Sequence, residues 1–265
     1  LAVLVLTQLA LHEALSLLTQ SAQTATRARS ALHRVDAVLA AEPVGSGDRP
    51  DTGVRVDQPA LHLRDLAAGW PGHGPVVERL SLDVAAGEKV ALVGPSGIGK
   101  TTIAATILGL IPPVAGQVEV AGRVGYVAQD AHTFTTSVSE NVRIGNRDAD
   151  AAAVADAMAR AALDLPPDRI VGEAGSPLSG GEARRLAVAR AFVGDYQVLI
   201  LDEPTEHLDT ATATALVDDL WRASADRPVL VVTHDPAVIA RCDRVVELVR
   251  PDCDCSTTRR GSSRR

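Results

Sequence analysis

Leu1 to Leu18 is almost wholly apolar, broken only by Gln8, His12 and Glu13 among the larger polar residues. Over 21–40 the apolar residues thin to Ala28, Leu32, Val35 and Leu39, spaced to share one face of a continuing helix. Glu42 to Asp57 has no such period and carries Pro43, Gly45, Gly47, Pro50 and Gly53, the make-up of a linker. Apolar runs beyond it predict strands at 60–66, 77–84, 88–93, 117–120 and 123–128. An Ala-rich region over 138–164 reads as helical, with Val154, Met158, Ala161 and Ala162 on a modest apolar face. There follow a helix over 179–193, strand 198–202, helix 210–223, strand 228–233, short helix 235–241 and strand 244–249. Strands alternating with helices predict a mainly parallel α/β sheet, preceded by an antiparallel β portion at 60–84. The polar segment 251–265, with Arg259, Arg260, Arg264 and Arg265, reads as a solvated tail.

The opening stretch has no basic n-region and no small-residue cleavage site, so it does not read as a signal peptide. At 18 residues it is slightly short of the roughly 20 needed for a complete span. It is either an amphipathic core helix or the last part of a transmembrane helix. The absence of an initial Met and the following Arg27, Arg29 and Arg34 favour a helix leaving a membrane on the cytoplasmic side.

Composition narrows the classes further. Apolar residues make up 46% of the 265, enough for a sizeable core, and that core must be aliphatic because aromatics are only 2%. A net charge of −7 argues against a general nucleic-acid binder. Three cysteines form no disulfide framework, which suggests a reducing compartment. Cys242 reads as a small core residue; Cys253 and Cys255 lack further ligands for a metal and fit a polar tail. The only lysines are Lys89 and Lys100.

Lys100 belongs to the string Gly94-Pro95-Ser96-Gly97-Ile98-Gly99-Lys100-Thr101, which fills every fixed position of the phosphate-binding pattern G-x-x-x-x-G-K-[ST]. It lies between a predicted strand and a helix beginning at Thr102, where N–H groups and the helix dipole would face phosphate oxygens. Lys100 would reach the β/γ-phosphates and the Thr101 hydroxyl would ligate Mg²⁺. The run Val198 to Leu201 ends in Asp202 and Glu203. At the carboxyl end of a parallel strand these would stand beside the loop, Asp202 to hold Mg²⁺ and Glu203 to polarise the attacking water. Alone, the pair fits an acidic turn after a strand equally well; beside the phosphate loop the functional reading prevails. Leu178-Ser179-Gly180-Gly181-Glu182 is a second glycine-rich helix start. It is either a capping box or another anion site, and if the latter, one serving a nucleotide held by another subunit.

The order of these motifs resembles the nucleotide-binding domain of ATP-binding cassette (ABC) transporters, over residues 58–250. The resemblance implies a P-loop NTPase (RecA-like) core with an antiparallel β subdomain and a helical signature subdomain. Walker A is matched by 94–101, with Thr102 following; the signature by 178–182, with Ser179, Gly180 and Gly181; and Walker B by 198–202. The catalytic carboxylate is matched by Glu203, the D-loop by 206–209 ending in Asp209, the switch histidine by His234 and the Q-loop by Gln129. By that resemblance Gln129 would sense Mg²⁺ and the membrane partner, and Trp70 would stack on adenine. The cofactors implied are ATP and Mg²⁺. The helix within 1–41 is similar to the end of the last membrane helix of an exporter-type subunit, which implies about six spans upstream. It also implies a bacterial inner-membrane location with the ATPase on the cytoplasmic side, a transported small molecule, and no nucleic acid. Ala10 to Ala14 and the D-loop Glu206-His207-Leu208-Asp209, in place of the commoner Ser-Ala-Leu-Asp, are similar to the CydC subunit of the bacterial CydDC exporters. That narrower likeness implies export of thiols such as cysteine or glutathione, or a haem-linked role supporting cytochrome bd assembly, with a CydD-like partner. The broader one implies a second half-transporter as homodimer or heterodimer and leaves open another cargo (lipid, drug or peptide) or a soluble ABC ATPase. Glu182 departs from the usual Gln after the signature, and Phe134 to Val138 lacks the common Gly-Thr pair.

Overall fold

The computed structural model describes residues 2–42, 44–45, 58, 60–173 and 175–249. Most of the expected linker, and the whole 251–265 tail with Cys253 and Cys255, therefore lie outside the described residues. The chain divides into two compact units, Leu1–Pro43 and Val44–Arg265.

The first unit is a single helix, α1 (Ala2–Leu39). No Gly or Pro interrupts this stretch, so nothing local ends the helix where the sequence turns from apolar to polar. The stripe residues Leu32, Val35 and Leu39 are exposed. Among the described residues no helix is long and apolar enough to cross a membrane.

The second unit begins with β1 (Ala60–Ala68), β2 (Val77–Val84), β3 (Lys89–Val93), α2 (Lys100–Leu108), β4 (Ala115–Ala121) and β5 (Val124–Val127). Next come β6 (Thr136–Ser137), α3 (Val138–Arg143), α4 (Ala151–Arg160), β7 (Ile170–Val171) and α5 (Gly180–Val193). It closes with β8 (Val198–Asp202), α6 (Thr210–Ala223), β9 (Val229–Val232), α7 (Pro236–Ile239) and β10 (Arg244–Glu247). β1 pairs antiparallel with both β2 and β4. A parallel sheet runs in the order β10-β3-β9-β8-β5. The antiparallel portion expected at 60–84 thus also takes β4, from farther along the chain.

The helical region expected over 138–164 is two helices instead of one. Gly145 lies so close to the Arg190 carbonyl that a Cβ there would sit 1.9 Å from the oxygen. The chain turns at that contact, and Asp150 starts α4 by accepting from the Ala153 N–H at 2.8 Å. The short β6–β7 pair has no sequence signal because two residues per strand carry no period.

The parallel sheet is buried on both faces, and alternation along its strands divides the core. Val90, Leu92, Val198, Ile200, Leu230 and Val232 join Ile103 and Ile107 of α2 and the leucines of β1. Leu199, Leu201, Val229 and Val231 face the other way, into a cluster built from α3 to α6. Each fully buried aliphatic side chain contributes about 1.5–3 kcal/mol. Phe192 is the aromatic residue of this otherwise aliphatic core. Cys242 is half-buried against it, and burial pushes its thiol up to about 11.

Lys89 is buried, and its ammonium donates to the carbonyls of Gly87 and Ser224 at 2.8 Å and of Ala225 at 3.2 Å. It therefore ties the start of β3 to the end of α6. Burial holds its pKa below the usual lysine range.

Candidate nucleotide site

In the strand order β3-β9-β8-β5, four neighbouring parallel strands release their carboxyl ends on one edge. The phosphate loop leaves β3, Thr233 and His234 leave β9, Glu203 leaves β8 and Gln129 leaves β5. Residues far apart in the chain meet there, around a cleft of about 520 Å³. Gly94, Ser96, Gly97, Gly99, Lys100, Thr101 and Thr102 line it from the loop, facing Gln129, Asp202, Glu203 and His234. Val76 and Glu206 also line it, and neither was singled out as a site residue from the sequence.

The start of α2 is built for an anion. Its N-cap, Gly99, has φ 111° and provides no side-chain cap. A side chain at Gly99 is excluded twice, by the left-handed backbone and by the Val77 and Val76 methyls, 2.7 and 2.9 Å from where a Cβ would be. First-turn N–H groups without a side-chain cap leave donors for phosphate oxygens. The Lys100 ammonium rests on the carbonyls of Gly94 and Pro95, at 2.8 and 3.3 Å. Phosphate oxygens can take the place of those acceptors.

Asp202 is 5% exposed, and burial raises its pKa. The Tyr126 hydroxyl donates to its Oδ2 at 2.8 Å, and the residue lines the cleft. Glu203 stands at φ 45°, a conformation that costs a non-glycine residue about 1–2 kcal/mol. Its amide is held by the Val232 carbonyl at 2.8 Å. Its Oε1 lies 2.9 Å from Nδ1 of His234. The glutamate side chain is 12% exposed and the imidazole 71%. The carboxylate raises the His234 pKa through that hydrogen bond and its charge.

The carboxylate of Asp202, the Thr101 hydroxyl and the Gln129 amide form a hard, oxygen-bearing set that suits Mg²⁺. Bound there, Mg²⁺ would offset the charge that three nearby carboxylates and a triphosphate bring together.

The signature start does not line this cleft. Ser179 caps α5: its hydroxyl accepts from the Glu182 N–H at 3.2 Å, and its own N–H donates to Glu182 at 2.7 Å. The reciprocal capping box is therefore formed at 178–182. The Ser179 hydroxyl still keeps its proton to donate. Asp209 caps α6, accepting from the N–H groups of Ala211 and Thr212 at 3.1 and 3.0 Å. Trp70, half exposed after β1, is also outside the residues lining the cleft.

The family profile described as ABC transporter matches residues 77–206. The chain is 35% identical to the "Mycobactin import ATP-binding/permease protein IrtB" of Mycolicibacterium thermoresistibile, over 82% of this chain and 41% of that protein. It is also 35% identical to the "ATP-dependent lipid A-core flippase" of Thiobacillus denitrificans, over 75% of this chain and 38% of that one. A solved bacterial Atm1-family ABC exporter with ATP bound superposes with a TM-score of 0.66 at 31% identity, covering 74% of this chain and 38% of the exporter. This is an ABC transporter nucleotide-binding domain. Its α/β architecture is the ABC ATPase fold. The chain spans less than half the length of the relatives it matches.

Two residues of this nucleotide-binding domain went unnoticed in the sequence for different reasons. Tyr126 carries no motif, and only the pairing of β5 with β8 brings its hydroxyl to Asp202. Asn141 is fully buried beneath the segment after Gln129; its amide donates to the Phe134 and Ser137 carbonyls at 2.9 and 3.1 Å. Its oxygen accepts from the Phe134 N–H at 3.0 Å and from Arg190 at 2.6 Å. A polar residue on a helix gives no sign of such burial.

Proposed function

We propose that this domain binds ATP with Mg²⁺ and hydrolyses it, working in a head-to-tail pair within a membrane transporter. The Glu203–His234 pair, at the mouth of the phosphate-loop cleft and next to buried Asp202, carries the reading. Lys100, the loop N–H groups and the start of α2 hold the phosphates. Glu203 accepts the proton of the attacking water, and His234 orients that carboxylate and supplies positive charge toward the γ-phosphate. Thr101, Asp202 and Gln129 would hold Mg²⁺, which would supply positive charge against the phosphates. Trp70 offers its exposed ring for adenine.

The α5 start supplies the other half of the site. Because Ser179, Gly180, Gly181 and Asp209 do not line the cleft of their own chain, they would serve the nucleotide of a partner, either a second copy or a related half-transporter. Closure of the pair would exclude water, and hydrolysis would reopen it. Helix α1 is read as the end of a membrane helix of an exporter-type subunit, placing the domain on the cytoplasmic side of a bacterial inner membrane. The cargo is then a small molecule. Thiol export with a CydD-like partner rests on two short strings, Ala10–Ala14 and Glu206–Asp209. The names of the two relatives above give other cargoes, one imported and one flipped.

The test is Glu203→Gln. Turnover should fall at least about 100-fold while ATP still binds; unchanged turnover would remove Glu203 from the role of base.

A further inference from the structure

Gln129 does not hang free in the cleft: its Nε2 donates to a carboxylate oxygen of Glu206. Both side chains line the nucleotide cleft, and that of Glu206 is mostly buried. The backbone is anchored on each side of this bond. Buried Arg184 of α5 donates to the carbonyl of Ala128, next to Gln129, at 3.0 Å. On the other side the Glu206 N–H donates to the Glu203 carbonyl at 3.2 Å. The Thr205 hydroxyl also donates to Asp235, beside His234, at 2.8 Å. With both chain segments held, the side-chain bond is the part that can open.

We propose that Glu206 is a positioning residue that holds Gln129 in the ligand-free cleft, so that capture of a metal–nucleotide requires the Gln129–Glu206 bond to break. This deepens the proposed function and rests on it. A carboxamide bound to Glu206 through its nitrogen has its oxygen fixed in direction, and turning that oxygen to a metal costs the bond. Only the released fraction of molecules offers Gln129 as a ligand, and apparent affinity falls by that fraction. Serine, the commoner residue at this place in the family, is too short to reach across.

Charge and reach must be separated, because removing any carboxylate from this cleft favours a polyanion. Glu206→Gln and Glu206→Ser both lose the charge, but only Gln keeps an acceptor of the right length. Mg–ADP is the probe, with its Kd measured by titration calorimetry, so that no turnover is needed. Glu206→Ser should bind about 3- to 10-fold more tightly than Glu206→Gln, the range for one neutral hydrogen bond. In a Gln129→Ala background the two should bind equally. In ligand-free protein the Gln129 side-chain amide resonance, assigned by its loss in Gln129→Ala, should move further in Glu206→Ser than in Glu206→Gln. Equal affinities and equal amide shifts in the two variants overturn the proposal, as does a difference that persists without Gln129. Wild-type protein that binds no nucleotide overturns the functional reading itself, and the role of Glu206 with it.

Discussion

At the residue scale the site depends on charges held by geometry that costs something. Glu203 keeps a positive φ, and its carboxylate meets His234 at 2.9 Å. Because the pairing raises the His234 pKa, its stabilising effect is full below the unfolded value of about 6.5 and is lost as pH rises through the higher folded value. The exposed ring keeps this small, about a few tenths of a kcal/mol. Urea unfolding at pH 6 and pH 9 should therefore show wild type losing more stability than His234→Gln; parallel curves would mean that the pair contributes nothing. Lys89 matters for a different reason. Lys89→Met would leave the buried Ser224 carbonyl and the part-buried carbonyls of Gly87 and Ala225 without this donor and should lower stability by about 1–3 kcal/mol in thermal unfolding.

At the element scale, two helix starts that look alike in sequence are finished differently. α2 begins at a glycine with no side-chain cap, while α5 begins with a reciprocal cap between Ser179 and Glu182. The cap gives a physical place to the acidic residue that departs from the family pattern. The Ser179 N–H holds the Glu182 carboxyl below its ordinary range. That stabilisation is present above the unfolded pKa, about 4.3, and is lost as pH falls through the lower folded value. Glu182→Gln keeps the shape without the charge. Between pH 5 and pH 3 wild type should lose about 0.5 kcal/mol more than this variant by urea midpoints. Element identity was mostly legible: strand 198–202 and helix 210–223 fall where the apolar pattern put them. The break at Gly145 was missed, although Gly145, Asn146 and Asp148 are turn residues; the close approach to the Arg190 carbonyl adds a reason for glycine there.

At the scale of the whole molecule the phosphate cleft and the signature helix start belong to different places on one chain. A working site made from two chains follows from the proposed function. Mixing Ser179→Arg subunits with wild type should lower ATPase activity, and Ser179→Arg mixed with Glu203→Gln should retain one site that combines an intact cleft with an intact signature. Activity that simply scales with the amount of wild-type protein would reject the shared site. The sequence by itself determined which residues are the candidates for handling phosphate, metal and water, because the loop, the strand-end carboxylates and the histidine each need fixed residue types at fixed local spacings. It also determined the alternation of strands and helices, since burial on one or both faces writes a period into the chain. Only the tertiary structure decided that β9 lies between β3 and β8, bringing His234 to Glu203. It alone placed Tyr126 on Asp202 and Glu206 on Gln129. Such contacts depend on the order and register of strands far apart in the chain, which local pattern does not encode.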